Sequence, residues 1–249
     1  AGRPLQRPSR QPLEKMLGLG TYSTETLVPA DVIIPINKEI PLEQAALVGC
    51  GVLTGVGAVV NTAGVEPGTS VAVFGCGGVG LNCIQGAALA GADPIIAVDI
   101  HPQKLALANQ FGATHTVNTR QQDAVERITS ITGVGAHYAF EAVGLSGETF
   151  LQTIACIRKR GTAIFVGHAP FDTPVALDAR MLMHEKSIIG SYYGTARPHV
   201  DIPRLLHLYQ TGKLKLDELV SRTYPLEEVN EAFVAMGSGE VARSVLVFD

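Results

Sequence analysis

The pattern with the clearest chemical meaning in this sequence is G-x-G-x-x-G, followed by a carboxylate. Gly75, Gly77 and Gly80 come directly after the apolar run Val71–Phe74. Such a loop leaves main-chain amides bare at the start of a helix, where they bind a diphosphate without a lysine. Asp99 ends the next apolar run, about 20 residues on, where a carboxylate binds ribose hydroxyls. The pattern predicts a site for NAD rather than NADP, because a 2′-phosphate would meet the charge of Asp99. A glycine-rich turn without a ligand is the alternative.

The four cysteines have no paired spacing, so neither a disulfide framework nor a local zinc cluster is indicated. A reducing, cytoplasmic compartment is the expected location. Cys76, Cys83 and Cys156 are expected to pack as small apolar side chains. Cys50 lies between two glycines, and its type alone would suggest the same role.

Composition excludes some classes of partner. The chain of 249 residues is 46% hydrophobic and carries a net charge of −4, so a soluble globular protein that does not bind nucleic acid is expected. The uncharged run Ala45–Val65 is long enough to cross a bilayer. Its Thr, Asn and Gly residues and the lack of flanking Trp or Tyr favour a buried helix and no membrane contact. The opening residues lack the apolar centre of a secretory signal.

Short apolar runs alternate with helical patterns from residue 71 to 191, which predicts a doubly wound, parallel six-stranded sheet of the Rossmann type. The predicted strands are Val71–Phe74, Ile95–Asp99, His115–Val117, Tyr138–Glu141, Ala163–Val166 and Ser187–Ser191. The predicted helices between them are Val79–Ala90, Pro102–Phe111, Gln122–Ile131 and Glu148–Ile157.

The two ends of the chain do not continue this alternation of strand and helix patterns. Thr21–Val28 and Val32–Ile36 look like strands of a smaller sheet, and a helix opens at Pro41 and runs toward Cys50. After residue 193, helices Asp201–Gln210 and Leu226–Met236 and a strand Ser244–Phe248 are expected, and this strand should pair with the front sheet. The predicted division is 1–51 and 193–249 for a smaller domain, with the nucleotide domain 52–192 inserted between them.

From about Met16 to Asp249 the sequence resembles zinc-type alcohol dehydrogenases of the medium-chain dehydrogenase/reductase family. The motifs that carry the resemblance are Gly49-Cys50-Gly51 with Thr54-Gly55, Phe74 to Gly80, Phe140-Glu141-Ala142-Val143-Gly144, Phe165-Val166-Gly167 and Ala242-Arg243-Ser244. The resemblance implies an NAD-dependent oxidation of a primary or aromatic alcohol to its aldehyde, at a catalytic Zn²⁺. It also implies that the end segments are remnants of a GroES-like, β-rich catalytic domain.

Residue roles follow from the resemblance. Cys50 would be a zinc ligand, with the other ligands expected upstream of this chain, and Thr54 would lie beside it at the nicotinamide. The implied cofactor contacts are Gly75, Gly77, Gly78, Val79, Gly80, Asp99, Lys104, Val143, Val166, Gly167 and Arg243. The implied substrate pocket comprises Met16, Leu17, His168 and Tyr192. A homodimer or homotetramer is expected, joined through the strand near Ser187–Ser191.

The resemblance begins partway through the family's catalytic domain, so the chain is expected to bind nucleotide and to turn over little alcohol. Two other functions stay open. One is a zinc-free, NADPH-dependent quinone or enoyl reductase of the same fold, against which Asp99 and Cys50 both argue. The other is a nucleotide-binding module without catalysis.

Overall fold

The computed structural model describes residues 19–144, 147–238 and 242–248. Six strands form one parallel sheet in the order β3-β2-β1-β4-β5-β6. They are β1 (Val71–Phe74), β2 (Ile95–Asp99), β3 (His115–Asn118), β4 (Ala136–Glu141), β5 (Ile157–Phe165) and β6 (Ser187–Gly190). This order confirms the predicted α/β Rossmann sheet, and all six predicted strands are present.

Helices cover both faces of this sheet. They are α1 (Leu42–Ala63), α2 (Gly78–Leu89), α3 (Pro102–Gln110), α4 (Ala124–Thr132), α5 (Gly147–Ala155), α6 (Pro198–Gln210) and α7 (Val229–Ser238). Short 3-10 helices lie at Ala30–Val32, Ala179–His184, Tyr193–Thr195, Asp217–Leu219 and Leu226–Glu228. Every residue of β1 is buried, with Val71 and Val73 in one core and Ala72 and Phe74 in the other. The alternation explains why this strand is apolar throughout.

Helix α1 is one continuous helix of 22 residues, long and apolar enough by length and composition to cross a bilayer. Of its most apolar 18-residue stretch, 56% is buried inside the protein. It packs closely on α2, since a Cβ added at Gly55 would lie 2.5 Å from the Asn82 Cβ. The predicted domain boundary between residues 51 and 52 falls inside this helix.

The front strands were predicted wrongly. Residues 21–28 and 33–36 form no strand, and Ala30–Val32 is a 3-10 turn in which the Val32 amide donates to the Pro29 carbonyl. Pro29 and Pro35 have no N–H to donate to a sheet, and Leu27 is 97% exposed, so nothing apolar holds an extended chain here.

A second sheet of two parallel strands joins β7 (Val220–Pro225) to β8 (Arg243–Val247). The last strand was therefore predicted near its observed position but with the wrong partner. Strand β7 was missed because only Tyr224 of its six residues is buried, so it has no apolar run. Leu246 pairs with Tyr224 in this register, and Val245 reaches the main core.

Candidate functional site

The glycine loop joins the end of β1 to the start of α2. Gly75 has a φ of +90°, which glycine adopts without strain. A Cβ added at Gly80 would overlap the carbonyl oxygen of Gly75, so this glycine allows the helix to approach the strand. Gly77 has no other atom within 4 Å of its would-be Cβ. The loop therefore presents bare main chain on the open side of Gly77, at the N-terminus of a twelve-residue helix.

Asp99 lies beside this loop at the end of β2. One carboxylate oxygen accepts from the Cys76 amide at 2.8 Å, and the other accepts from the His101 amide at 2.9 Å. Both bonds hold the carboxylate at the rim of a cavity of about 460 Å³. The lining comprises Phe74, Gly75, Gly77, Val98, Asp99, Ile100, His101, Lys104, Thr119, Ala142, Val143, Thr149, Gln152, Met236 and Gly237. The cavity thus opens at the carboxyl ends of β1, β2 and β4, where the strand order reverses and nucleotides bind in sheets of this kind.

Arg243, the first residue of β8, brings a cation to the same loop. A Cβ added at Gly78 would lie 2.6 Å from the Arg243 Cζ, and one at Gly51 would lie 3.0 Å from it. Glycine at these two positions leaves space for the guanidinium between α1 and the start of α2. Within the described ranges, the ion pair Arg160–Glu185 is the sole salt bridge, so Arg243 has no carboxylate partner there. The guanidinium, the bare amides and the positive end of the helix together favour an anion.

Cys50 lies on a π-helical turn of α1, Val48–Val52, a helix irregularity that often occurs at functional sites. Its thiol is exposed, and it lines a second cavity of about 540 Å³ together with Arg243. The Tyr193 hydroxyl donates to the carbonyl oxygen of the neighbouring Gly49. Burial, and then the charge of Cys50, raises the pKa of Tyr193, which keeps this hydroxyl a donor. Thr54 is one helical turn beyond Cys50 and is half-buried.

The described residues do not form a zinc centre. They contain no group of three His, Cys, Asp or Glu side chains that could hold a metal ion, and the cavity around Cys50 is lined by no second such side chain. Burial raises the pKa of the Cys83 and Cys156 thiols to about 12, and it also raises the pKa of Cys76, which disfavours the thiolate form of all three in their apolar surroundings. Cys50 remains as one candidate ligand where a catalytic zinc needs three from protein.

Five of the eleven predicted cofactor residues line the Asp99 cavity, and Arg243 lines the cavity around Cys50. Val143 lines the Asp99 cavity, and its Cγ2 would lie 2.8 Å from a Cβ at Gly75. Lys104 lines the same cavity. Val79 packs partly buried against the core at the start of α2. Val166 and Gly167 directly follow β5, where their amides both donate to the Glu141 carbonyl at 2.9 Å.

The predicted substrate residues are less well placed. His168 and Tyr192 are exposed, Tyr192 by 81%, and neither lines the cavity around Cys50. Met16 and Leu17 lie outside the described residues. His168 and Tyr192 therefore share no cavity with Cys50 in the described part of the chain.

Several residues in or beside the cleft were not among the predicted site residues, and two of them bear on its geometry. Met236, near the end of α7, lines both cavities and so marks where they meet. No sequence pattern points to it. Glu141 is 3% exposed at the end of β4, and its carboxylate bonds the loop that carries Val143. A charged residue that ends an apolar strand in a sheet buried on both faces was a signal that could have found it.

Comparisons with known proteins show the family of this chain. The family model described as "Zinc-binding dehydrogenase" matches residues 78–211. The chain is 34% identical over 245 residues to an S-(hydroxymethyl)glutathione dehydrogenase of Paracoccus denitrificans, and 37% identical over 246 residues to an alcohol dehydrogenase class-3 of Cereibacter sphaeroides. Each alignment covers 95% of this chain and 65% of the relative, so the chain spans about two thirds of the length of the curated relatives it matches.

Solved structures give the same answer. An alcohol dehydrogenase zinc-binding domain protein from Burkholderia ambifaria superposes with a TM-score of 0.90 at 37% identity, covering 97% of this chain and 65% of that one. Benzyl alcohol dehydrogenase from Acinetobacter calcoaceticus superposes with a TM-score of 0.83 at 36% identity, covering 87% and 59%. Since the family model alone covers more than half of the chain, this protein belongs to the zinc-binding dehydrogenase family, that of the zinc-type alcohol dehydrogenases.

Proposed function

We propose that the cleft binds NAD and that the protein serves hydride transfer between NAD and a primary or aromatic alcohol or its aldehyde. The observation that carries the proposal is the convergence of Asp99, the open amides at Gly77 and the Arg243 guanidinium along one cleft. Bound NAD would supply the hydride acceptor. The residues of the chain orient it, with Asp99 on the ribose hydroxyls and Arg243 on the diphosphate.

The preference for NAD over NADP follows from the charge of Asp99. A 2′-phosphate on the same ribose would lie beside this carboxylate, and like charges repel most where water is partly excluded. Lys104 on the same cavity wall opposes this effect, so the two cofactors must be compared directly. We expect NADH to bind more tightly than NADPH in separate fluorescence titrations. The matched variant Asp99→Asn should narrow the difference, and tighter binding of NADPH to the wild type would refute the assignment.

The proposed substrate class is supported by the relatives, among them a class-3 alcohol dehydrogenase and a benzyl alcohol dehydrogenase. The proposed zinc is supported by Cys50 alone among the described residues. This single ligand also favours a second candidate function, nucleotide binding without turnover. Alcohol-dependent NADH formation, measured for this chain and for the longest in-frame product of its gene, separates the two. Turnover by the longer product supports the dehydrogenase, and NADH binding without turnover by either supports the binding module.

We further propose a homodimer or homotetramer, assembled through β6. This strand is an edge of the large sheet and leaves one row of main-chain groups unpaired in the sheet, which a twofold mate could pair. Sedimentation of the purified chain should give at least twice the monomer mass, and a monomer at micromolar concentration would contradict this proposal. A cytoplasmic location is proposed because all four cysteines are free thiols.

A further inference from the structure

The Glu141 carboxylate is a buried charge that organises the loop after β4. One oxygen accepts from the amides of Val143 at 3.1 Å and Gly144 at 3.0 Å, and from the Thr149 hydroxyl at 3.0 Å. The other oxygen lies 3.2 Å from the Gly144 amide. No described Lys or Arg forms a salt bridge with it, so these donors stabilise the charge.

The same residue also holds the loop after β5. Its main-chain oxygen accepts from the amides of Val166 and Gly167, each at 2.9 Å. A Cβ at Gly167 would lie 2.5 Å from the Glu141 carboxylate and even closer to the Gly144 amide. The two loops therefore pack against each other and against the Glu141 side chain, and a methyl group at Gly167 would not fit between them.

The loop after β4 borders the proposed cofactor cleft through Ala142 and Val143, although neither Glu141 itself nor the loop after β5 lines the cavity. Val143 and Thr149, two of its bonding partners, do line it. Val143 in turn packs against Gly75 of the glycine loop. A shift of the carboxylate would therefore reach the cavity wall through residues that it bonds directly.

We propose that Glu141 is a positioning residue for the cofactor, which fixes the loops after β4 and β5 in the geometry that NAD requires. The inference rests on the proposed function, because it assumes that this cleft binds NAD. The negative charge is needed because both oxygens face donors. In Glu141→Gln the amide nitrogen must either face the Gly144 amide or displace one of the other donors, so the loop shifts or loosens.

The test compares Glu141→Gln with Ser70→Ala in the full chain. Ser70 is also buried, but it precedes β1, its hydroxyl bonds His137, and it does not line the cavity. Fluorescence titration should show the Kd for NADH rising about tenfold in Glu141→Gln, as expected for one lost bond to a charged group. Ser70→Ala should lower the unfolding temperature and leave the Kd unchanged. A folded Glu141→Gln variant that binds NADH like the wild type would overturn the inference.

A second readout does not depend on cofactor. Hydrogen exchange of the Val143 and Gly144 amides should be faster in Glu141→Gln than in the wild type, and equal rates would also overturn the inference. If Glu141→Gln does not fold, Glu141→Asp keeps the charge but withdraws it by one methylene, and wild-type affinity in that variant would count against the proposal. Failure of the proposed function is distinct, since the wild type itself would then show no binding of NADH.

Discussion

Replacing Gly77 by alanine should separate cofactor binding from folding. Gly77 has φ −80° and ψ −173°, a conformation that alanine adopts without strain, and its would-be Cβ has no atom within 4 Å. The substitution should therefore stabilise the folded chain by about 0.4–1 kcal/mol, because the unfolded chain loses freedom. The new methyl group would stand on the side from which a diphosphate approaches the loop.

The expected loss of affinity follows from the bonds that the methyl group prevents. Displacing a phosphate from one amide costs about 1.5–3 kcal/mol, since the bond is charge-assisted, and this corresponds to roughly a 10- to 150-fold rise in Kd. NADH fluorescence measures the Kd, and thermal unfolding without cofactor measures the stability. Gly190→Ala in β6 is the matched control, because its Cβ also meets no atom within 4 Å and it lines neither cavity of the cleft. Wild-type affinity in Gly77→Ala would show that the loop does not face the diphosphate, and a lower unfolding temperature would contradict the predicted gain in stability.

Three further outcomes are expected. Gly80→Ala should lower the free energy of unfolding by about 1–3 kcal/mol, because its Cβ would overlap the Gly75 carbonyl. It should also weaken NADH binding. An unfolding temperature equal to that of the wild type would contradict this prediction. Arg243→Gln should weaken NADH binding by about 1.5–3 kcal/mol. The control Arg222→Gln removes a guanidinium stacked on Tyr224 and should leave the Kd for NADH unchanged. Burial, and then the charge of Arg158, lowers the pKa of His137, so below pH of about 6.5 the unfolded chain binds more protons than the folded one. The free energy of unfolding in urea should therefore fall as the pH drops from about 6.5, and His137→Gln should flatten that slope.

The middle of the large sheet was predictable because strands β1 and β2 are buried on both faces. Strands β1 and β2 are unbroken apolar runs, and both were predicted with their observed bounds. Strand β5 was predicted only in its second half, since its first half reads Arg158-Lys159-Arg160 and the partly polar stretch turns through a positive φ at Arg160. Periodicity detects burial, and these residues are largely exposed.

The cleft was predictable where its parts are neighbours in sequence. The glycine loop and Asp99 follow strands directly, so the parallel topology alone brings them to one edge of the sheet. The approach of Arg243 to Gly78 depends on how β8 packs across a long stretch of intervening chain, and only the family resemblance indicated it. The network around Glu141 depends on atomic distances between two loops, which no pattern of residue types specifies.

The position of Arg243 on β8 also bears on when the cleft becomes competent during synthesis. The glycine loop and Asp99 could take shape once the six-stranded sheet has formed, but the guanidinium arrives only when β8 has paired with β7. A nascent chain still lacking that strand would hold the ribose and leave the diphosphate without its counter-ion. Under the proposed function, tight capture of the dinucleotide therefore requires that β8 has been translated and has paired with β7.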